Sequence, residues 1–470
     1  MTDLRARIEA GDLSFLDGLV LLGFIASQRW FGGKSRDVFD ARVVDAAVAP
    51  GGTPLLALTL VEVRYGLQTH DLYQLPLGFR PTDEGWTDGV IHELGGWTVY
   101  DALRDPALAR EIVGLMRSNS TLRLPEASVE FRSVDGLSDR AGDLLDVRLM
   151  GTEQSNSSVV LNEALALKLY RRLEPGINPD LELLRFLTER GFENVAPLEG
   201  WAEYVGVPLQ ATLALLQRYV PSAGDGWTIA LDTIVSEPSW LPEQARRLGE
   251  VTARMHTVLA SDGADPCFAP EEPSVEALAL LTASVDEEIE QVFFDLPDSD
   301  DLQELAGRGE EVRDRLRLLS RIGPVGRVIR HHGDYHLGQV LWSDEGDWIV
   351  LDFEGEPART LPERRRKRSP LRDVAGMLRS FAYAASAVHI QRGTEPPADW
   401  EERCRAEFLA GYYAVVDPTL LPPGESAIAR LLMVFELEKA IYELRYELDN
   451  RPEWVGIPVA GIMRMLEEPL

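Results

Sequence analysis

Apolar residues recur at helical spacing over residues 15–28, and the run stops at Arg29-Trp30-Phe31-Gly32-Gly33-Lys34, where paired glycines break it. Two strand-like runs follow, 55–65 and 69–77, with a turn near Gly66 that predicts a hairpin. The Gly-, Pro-, Asp- and Thr-rich segment 78–96 predicts a loop and a boundary near residue 100. Residues 146–150, 158–161 and 165–170 read as short strands, and 178–190 as an amphipathic helix. Two more β-type runs, near 207–211 and 214–220, end at Pro221. Beyond Pro221 helical periodicity takes over, at 243–259, 275–294, 302–319, 373–391, 399–416 and 427–449, interrupted by one β island at 340–353.

Composition narrows the class. With 470 residues, 45% of them hydrophobic, the chain is no disordered segment; its length predicts about three domains or lobes, divided here as 1–100, 101–220 and 221–470. Seventy-seven acidic against 47 basic residues give a formal charge of −30, which argues against nucleic acid and anionic membrane as partners. A site for an anionic ligand would have to supply its own positive charge. Cys267 and Cys404 lie far apart in no ligand spacing, which excludes a disulfide framework and fits a reducing cytoplasm. The apolar stretch 19–26 is too short to cross a bilayer and has no basic leader, so it reads as a buried helix.

The densest polar constellation is His331-His332-Gly333-Asp334-Tyr335-His336-Leu337-Gly338-Gln339, followed by Asp352-Phe353-Glu354-Gly355-Glu356-Pro357. His332 and His336 have the i,i+4 spacing of a zinc pair, but Gly333 disfavours the helix this needs and no third soft ligand follows. Phosphoryl transfer explains more. It needs an Asp to orient the attacking hydroxyl, an amide oxygen for magnesium five places later, and a second Asp, followed by Phe, one strand pair further on. Asp334, Gln339 and Asp352 meet that pattern, and a hairpin turning at Glu345-Gly346-Asp347 would return Asp352 toward Asp334.

These residues resemble the signature of the aminoglycoside-phosphotransferase-like kinases, and within them of the bacterial maltokinases. Similar stretches occur at 363–381 and 439–454, and Gln28-Arg-Trp-Phe-Gly-Gly-Lys34 is similar to the opening of that family's cap. The resemblance implies an α+β, bilobal protein-kinase-like fold: a cap subdomain at 1–100, a β-rich nucleotide-binding N-lobe at 101–220 and a mostly helical C-lobe at 221–470. Its cofactors would be ATP and Mg²⁺, the metal held by Gln339 and Asp352. Lys168, a lone lysine in an apolar strand, is the expected phosphate lysine, with Glu182 in the next helix as its partner. No GxGxxG precedes Lys168; instead Ser155, Asn156, Ser157 and Ser158 stand in a polar turn that could hold phosphate. The adenine hinge is expected at Gln217-Arg218-Tyr219-Val220, through backbone groups. Gln339 in place of Asn and Glu354 in place of the DFG glycine fit the maltokinase pattern and argue against a protein kinase.

Two features bear on the acceptor. On a helix, Lys439, Tyr442, Glu443 and Tyr446 share one face, which suits a neutral polyol. By resemblance Lys439, Tyr442 and Glu443 would touch sugar, with His332 and His336 near the substrate. The basic island 359–372 has two open readings, an offset for the anionic nucleotide or a salt-bridged loop. The implied function is phosphorylation of maltose at its anomeric hydroxyl, feeding glycogen and other α-glucan synthesis, with association with trehalose synthase as an implied partner. A kinase for another sugar such as glucosamine, and a nucleotide- or sugar-binding pseudokinase, are the alternatives.

Overall fold

A computed structural model of the chain describes residues 4–66, 69–137, 146–151, 155–207, 209–299, 302–319 and 325–467. The chain forms two compact units, 1–185 with 196–221, and 186–195 with 222–470.

The first unit holds two antiparallel sheets. In one, Val38–Val48, Leu55–Tyr65, His70–Pro81, Trp97–Asp101 and Val90–Leu94 lie side by side in that order, and Arg172–Leu173 pairs with His70–Pro81. Its inner face packs with Leu19–Ser27 around Ile25, Val61, Tyr73 and Phe79, all at or near zero exposure. The expected helix over 15–28 is broken at Asp17-Gly18, because both residues are tied to the first strand. Gly18 N–H donates to the Ala41 carbonyl at 2.7 Å, and Asp17 Oδ1 accepts Val43 N–H at 2.8 Å. The segment read as a loop at 78–96 carries the end of one strand and the whole of another; cross-strand pairing outweighs its turn-rich composition.

The second sheet has seven strands, ordered Thr121–Arg123, Ala127–Ser133, Leu198–Gly206, Gln210–Arg218, Leu165–Tyr170, Asn156–Leu161 and Val147–Leu149. Residue 100, near which a division was expected, lies in the strand Trp97–Asp101 of the first sheet, and the second sheet begins at Thr121. Pro106–Arg117, a helix the periodicity argument passed over, starts at Asp105, whose carboxylate accepts Ala107 N–H, with Pro106 in the first turn. The strand expected at 207–211 is a turn at its start: Gly206 N–H bonds to Leu209 O, and Val207 is 90% exposed.

The second unit is helical around one small sheet. Ser222–Asp225, Val340–Ser343 and Trp348–Val350 pair antiparallel, and the hairpin between the last two turns at Gly346, whose φ of +81° favours glycine. Trp240–Leu259, Leu371–Arg392, Trp400–Val415 and Glu425–Asn450 form the main helices, and Gly226–Ser236 and Gly456–Glu467 add two that the periodicity had not marked. The 302–319 helix starts only at Gly309. Among the described residues no helix is long and apolar enough to cross a membrane.

Candidate active site

In the first unit Lys168 lies mid-strand between its neighbours at Ser158 and Leu215. Its ammonium donates to Asp180 Oδ2 at 2.9 Å, and the side chains are 12% and 5% exposed. Asp180 opens the helix Pro179–Glu189, its N–H capped by Asn178 Oδ1, and it also accepts the Tyr170 hydroxyl at 2.8 Å. Sequence spacing had pointed to Glu182, which is buried one half-turn further on. The signal that could have found Asp180 is its place in the first turn after Asn-Pro, where carboxylates are favoured.

The expected phosphate turn is shorter than its composition suggested. Asn156, Ser157 and Ser158 are strand residues facing Tyr170, Leu169 and Lys168, and only Ser155 is exposed outside the strand. The Ser157 hydroxyl accepts Arg171 Nε at 2.8 Å, and Arg171 is itself paired with Asp101. Thr152 to Gln154 lie outside the described residues. At the hinge, Gln217 pairs with Ala166 and Leu198, and the N–H groups of Arg218 and Tyr219 donate to Pro197 and Ala164. Those two N–H groups are therefore not available to a base, and Val220 is the remaining hinge residue of the four. The Tyr219 phenol meets Arg148 at 3.1 Å.

In the second unit the catalytic-loop candidates are braced from several sides. Asp373, buried at the start of Leu371–Arg392, accepts the backbone N–H of His332 at 2.8 Å and of Gly333 at 3.0 Å, and pairs with His256 Nε2 at 3.0 Å. Burial pushes its carboxyl up, but the surrounding histidines and these hydrogen bonds outweigh that and hold it well below the usual range. Thr252 bonds the Tyr335 hydroxyl at 2.9 Å, and a Cβ on Gly376 would come within 2.5 Å of the Tyr335 carbonyl, so only glycine lets the helix approach this close. His256 is a fully buried helix histidine that supports the loop through Asp373.

His332 and His336 were expected near the substrate; the structure gives both a bracing place. His332 Nδ1 accepts Asp334 N–H at 3.3 Å, which leaves Nε2–H to donate to the Leu351 carbonyl at 2.8 Å, and its ring packs on Phe353 and Tyr335. His336 Nδ1 accepts Gly338 N–H at 3.0 Å, and its Nε2 stands 3.8 Å from Asp334 Oδ2. The 340–350 hairpin delivers Asp352 to Gln339: the Gln339 amide lies 3.4 Å from Asp352 Oδ2, and Leu351 N–H donates to the Gln339 carbonyl. Asp352 adopts φ +60°, a conformation uncommon outside glycine and Asn. The amide nitrogen makes that contact; turning the Gln339 amide over would bring its oxygen toward the Asp352 carboxylate instead, and two such hard oxygen donors are of the kind magnesium takes, so the residues fit that ion.

Lys439, on Glu425–Asn450, reaches Asp334 Oδ1 and Glu356 Oε1, each at 3.3 Å, and lies 4.9 Å from the Tyr442 ring centroid. The two carboxylates raise the Lys439 pKa against the opposing effect of burial. Burial would push Glu356 up, but Lys439, Arg372 and Arg359 bring it down to about 2. Asp334, Glu356, Lys439 and Tyr442 line a small cavity of about 30 Å³. Tyr442 also lines a groove of about 520 Å³ with Tyr446, Arg445, Glu287 and Asn450. Glu443, expected to touch sugar, lines neither; it is bound at 2.7 and 3.0 Å by Arg379, which is 1% exposed. The helix phase is correct, but the buried guanidinium turns Glu443 inward. Glu356, in the Asp-Phe segment, and Asp373, within 363–381, had no role assigned from sequence, because nothing local marks them as partners of residues some 40 to 83 positions away.

A β-rich unit with a buried Lys–Asp pair, and a helical unit in which an Asp-bearing loop meets an Asp-Phe hairpin, define an α+β kinase-like phosphotransferase. The description "Phosphotransferase enzyme family" matches residues 146–412, more than half the chain, and "Maltokinase N-terminal cap domain" matches 24–105. The chain belongs to the phosphotransferase enzyme family and is an enzyme of that class, with an N-terminal maltokinase-type cap. A protein named glucosamine kinase from Streptacidiphilus jiangxiensis is 26% identical over 402 residues, covering 82% of this chain and 86% of its own. Another of that name, from Mycolicibacterium smegmatis, is 26% identical over 348 residues, covering 68% and 80%. In fold, the chain is similar to a solved glucosamine kinase in complex with glucosamine, ADP and inorganic phosphate, with a TM-score of 0.68, 21% identity and coverage of 94% of this chain and 98% of that one.

Proposed function

We propose that this enzyme is an ATP-dependent sugar kinase whose acceptor is a neutral disaccharide, maltose, phosphorylated at its anomeric hydroxyl to α-maltose 1-phosphate. The observation that carries this reading is the position of Lys439. Its ammonium already faces both Asp334 and Glu356 in the small cavity, so the carboxylates that would attract an amino sugar are neutralised from within. Tyr442 then leads from that cavity into a groove with room for a second sugar ring, against the aromatic surface of Tyr446.

On this reading Asp334 orients the acceptor hydroxyl and takes its proton. Lys168, held by Asp180, positions the nucleotide, with Glu182, Ser155 and the hinge at Gln217 to Val220 as further contacts. Gln339 and Asp352 would hold magnesium, which supplies positive charge to the phosphates when bound. The domains would act as cap, 1–100, nucleotide-binding lobe, 101–220, and acceptor lobe, 221–470, in a cytoplasmic enzyme. Its product would enter α-glucan synthesis, and copurification tests the association with trehalose synthase.

The relatives named glucosamine kinase favour a second reading, phosphorylation of glucosamine. The cap does not separate the two, since solved glucosamine kinases cover 92 to 95% of this chain. An ADP-release assay with ATP–Mg²⁺ against maltose, glucosamine, glucose and an aminoglycoside does. Preference for maltose supports the first reading, preference for glucosamine replaces it with the second, and turnover of none points to a binding module.

A further inference from the structure

A second cavity of the helical unit, about 230 Å³, adjoins the small one, and Gly333, Glu356, Arg359, Arg372 and Glu438 belong to the walls of both. In a chain of net charge −30, five arginines line it: Arg359, Arg364, Arg366, Arg368 and Arg372. The carboxylates in its wall are already engaged. Glu356 is held by Lys439 and Arg359, Glu438 by Arg372 at 2.8 Å, and Glu363 caps its own helix through Thr360. The basic island is thus salt-bridged in part, as one of its two readings held, but not throughout. Arg366 and Arg368 have no carboxylate within ion-pair distance among the described residues. Burial and the neighbouring Arg372, against the opposing Glu438, lower the pKa of Arg368. His331 lines the same cavity, is 8% exposed, and its Nδ1 finds no partner among the described residues. Surplus guanidinium groups crowded around a cavity, with an unsatisfied buried imidazole nitrogen in its wall, are the complement of a missing oxyanion.

We propose that this cavity is an oxyanion site that takes inorganic phosphate or the phosphoryl group of a phosphate monoester, next to the acceptor cavity and separate from it. Arg366 and Arg368 supply guanidinium groups that no carboxylate among the described residues pairs with directly, in forked geometry suited to phosphate oxygens, and His331 adds a polar contact. Because the two cavities share Arg359 and Arg372, an anion bound here competes with Glu356 and Glu438 for those guanidinium groups. The proposal does not depend on which sugar is the acceptor.

Titration calorimetry on the full chain, at fixed ionic strength in chloride, tests it with inorganic phosphate and with glucose 1-phosphate as probes. The expected result is saturable binding that weakens roughly tenfold or more in Arg368→Gln and in Arg366→Gln. Arg366 is exposed, so that variant keeps the test valid if Arg368→Gln does not fold. Equal affinity for the two probes identifies free phosphate as the ligand, and tighter binding of the ester identifies a phosphorylated metabolite. No saturable binding of either probe, or unchanged affinity in the folded variants, overturns the proposal.

Discussion

Lys439 and Asp334 are 105 positions apart in the chain, yet the ammonium lies 3.3 Å from Asp334 Oδ1 and is shared with Glu356 at the same distance. Removing the ammonium leaves two carboxylates facing one cavity. Lys439→Met is therefore expected to lower kcat/KM for maltose by about 10- to 100-fold, the value of one or two charge-assisted hydrogen bonds, while the ratio of glucosamine to maltose turnover rises. Steady-state kinetics with both sugars checks this, and an unchanged ratio would remove Lys439 as a selectivity determinant.

On the proposed reading Asp334 acts on the acceptor hydroxyl and not on the nucleotide. Asp334→Asn keeps the shape and the loop braces while removing the proton acceptor, so turnover should fall by about 10²- to 10⁴-fold with ATP affinity preserved. Single-turnover rates and nucleotide titration separate the two effects. Turnover near the parent level in this variant would exclude Asp334 as the base.

Asp180 is placed to orient Lys168 rather than to meet solvent. Asp180→Asn should raise the dissociation constant for ATP by about tenfold, the worth of one charge-assisted hydrogen bond, and leave the KM for the sugar unmoved. Nucleotide binding followed by calorimetry reads this directly. A parent-like ATP affinity would show that Lys168 does not need Asp180.

His331 ties stability to pH. Burial lowers its pKa from 6.5 to about 3, so the unfolded chain takes up the proton first as pH falls. Its contribution is complete above about pH 6.5 and is lost progressively toward pH 3, with about 2 kcal/mol gone by pH 5. Urea unfolding at pH 7.5 and 5.0 should show the parent losing about that much more stability than His331→Gln. Equal losses in the two proteins would mean that the imidazole is protonated in the folded state.

Much of the proposed catalytic apparatus was legible because it is local. Asp334 and Gln339 are fixed by a five-residue spacing, Asp352 returns through a hairpin whose turn residues announce it, and Lys168 stands out as the only charge in an apolar strand. Periodicity marked most of the helices for the same reason, since a repeat of 3.6 is a property of the segment alone. It missed the strands Val38–Val48 and Trp97–Asp101, which are stabilised by pairing with Leu55–Tyr65 and His70–Pro81 respectively more than by their own pattern.

The sequence by itself thus determined the reaction class, the loop proposed to carry it and the divide between a β-rich and a helical part, because short-range spacing and hydrophobic period encode them. Only the tertiary structure decided which charges meet. It set Asp180 against Lys168, Lys439 between Asp334 and Glu356, and Glu443 inward onto Arg379, and it gave His332 and His336 hydrogen bonds that brace their loop. The physical reason is that a side chain's partner depends on how helices and strands pack, and a buried charge takes whichever opposite charge that packing delivers.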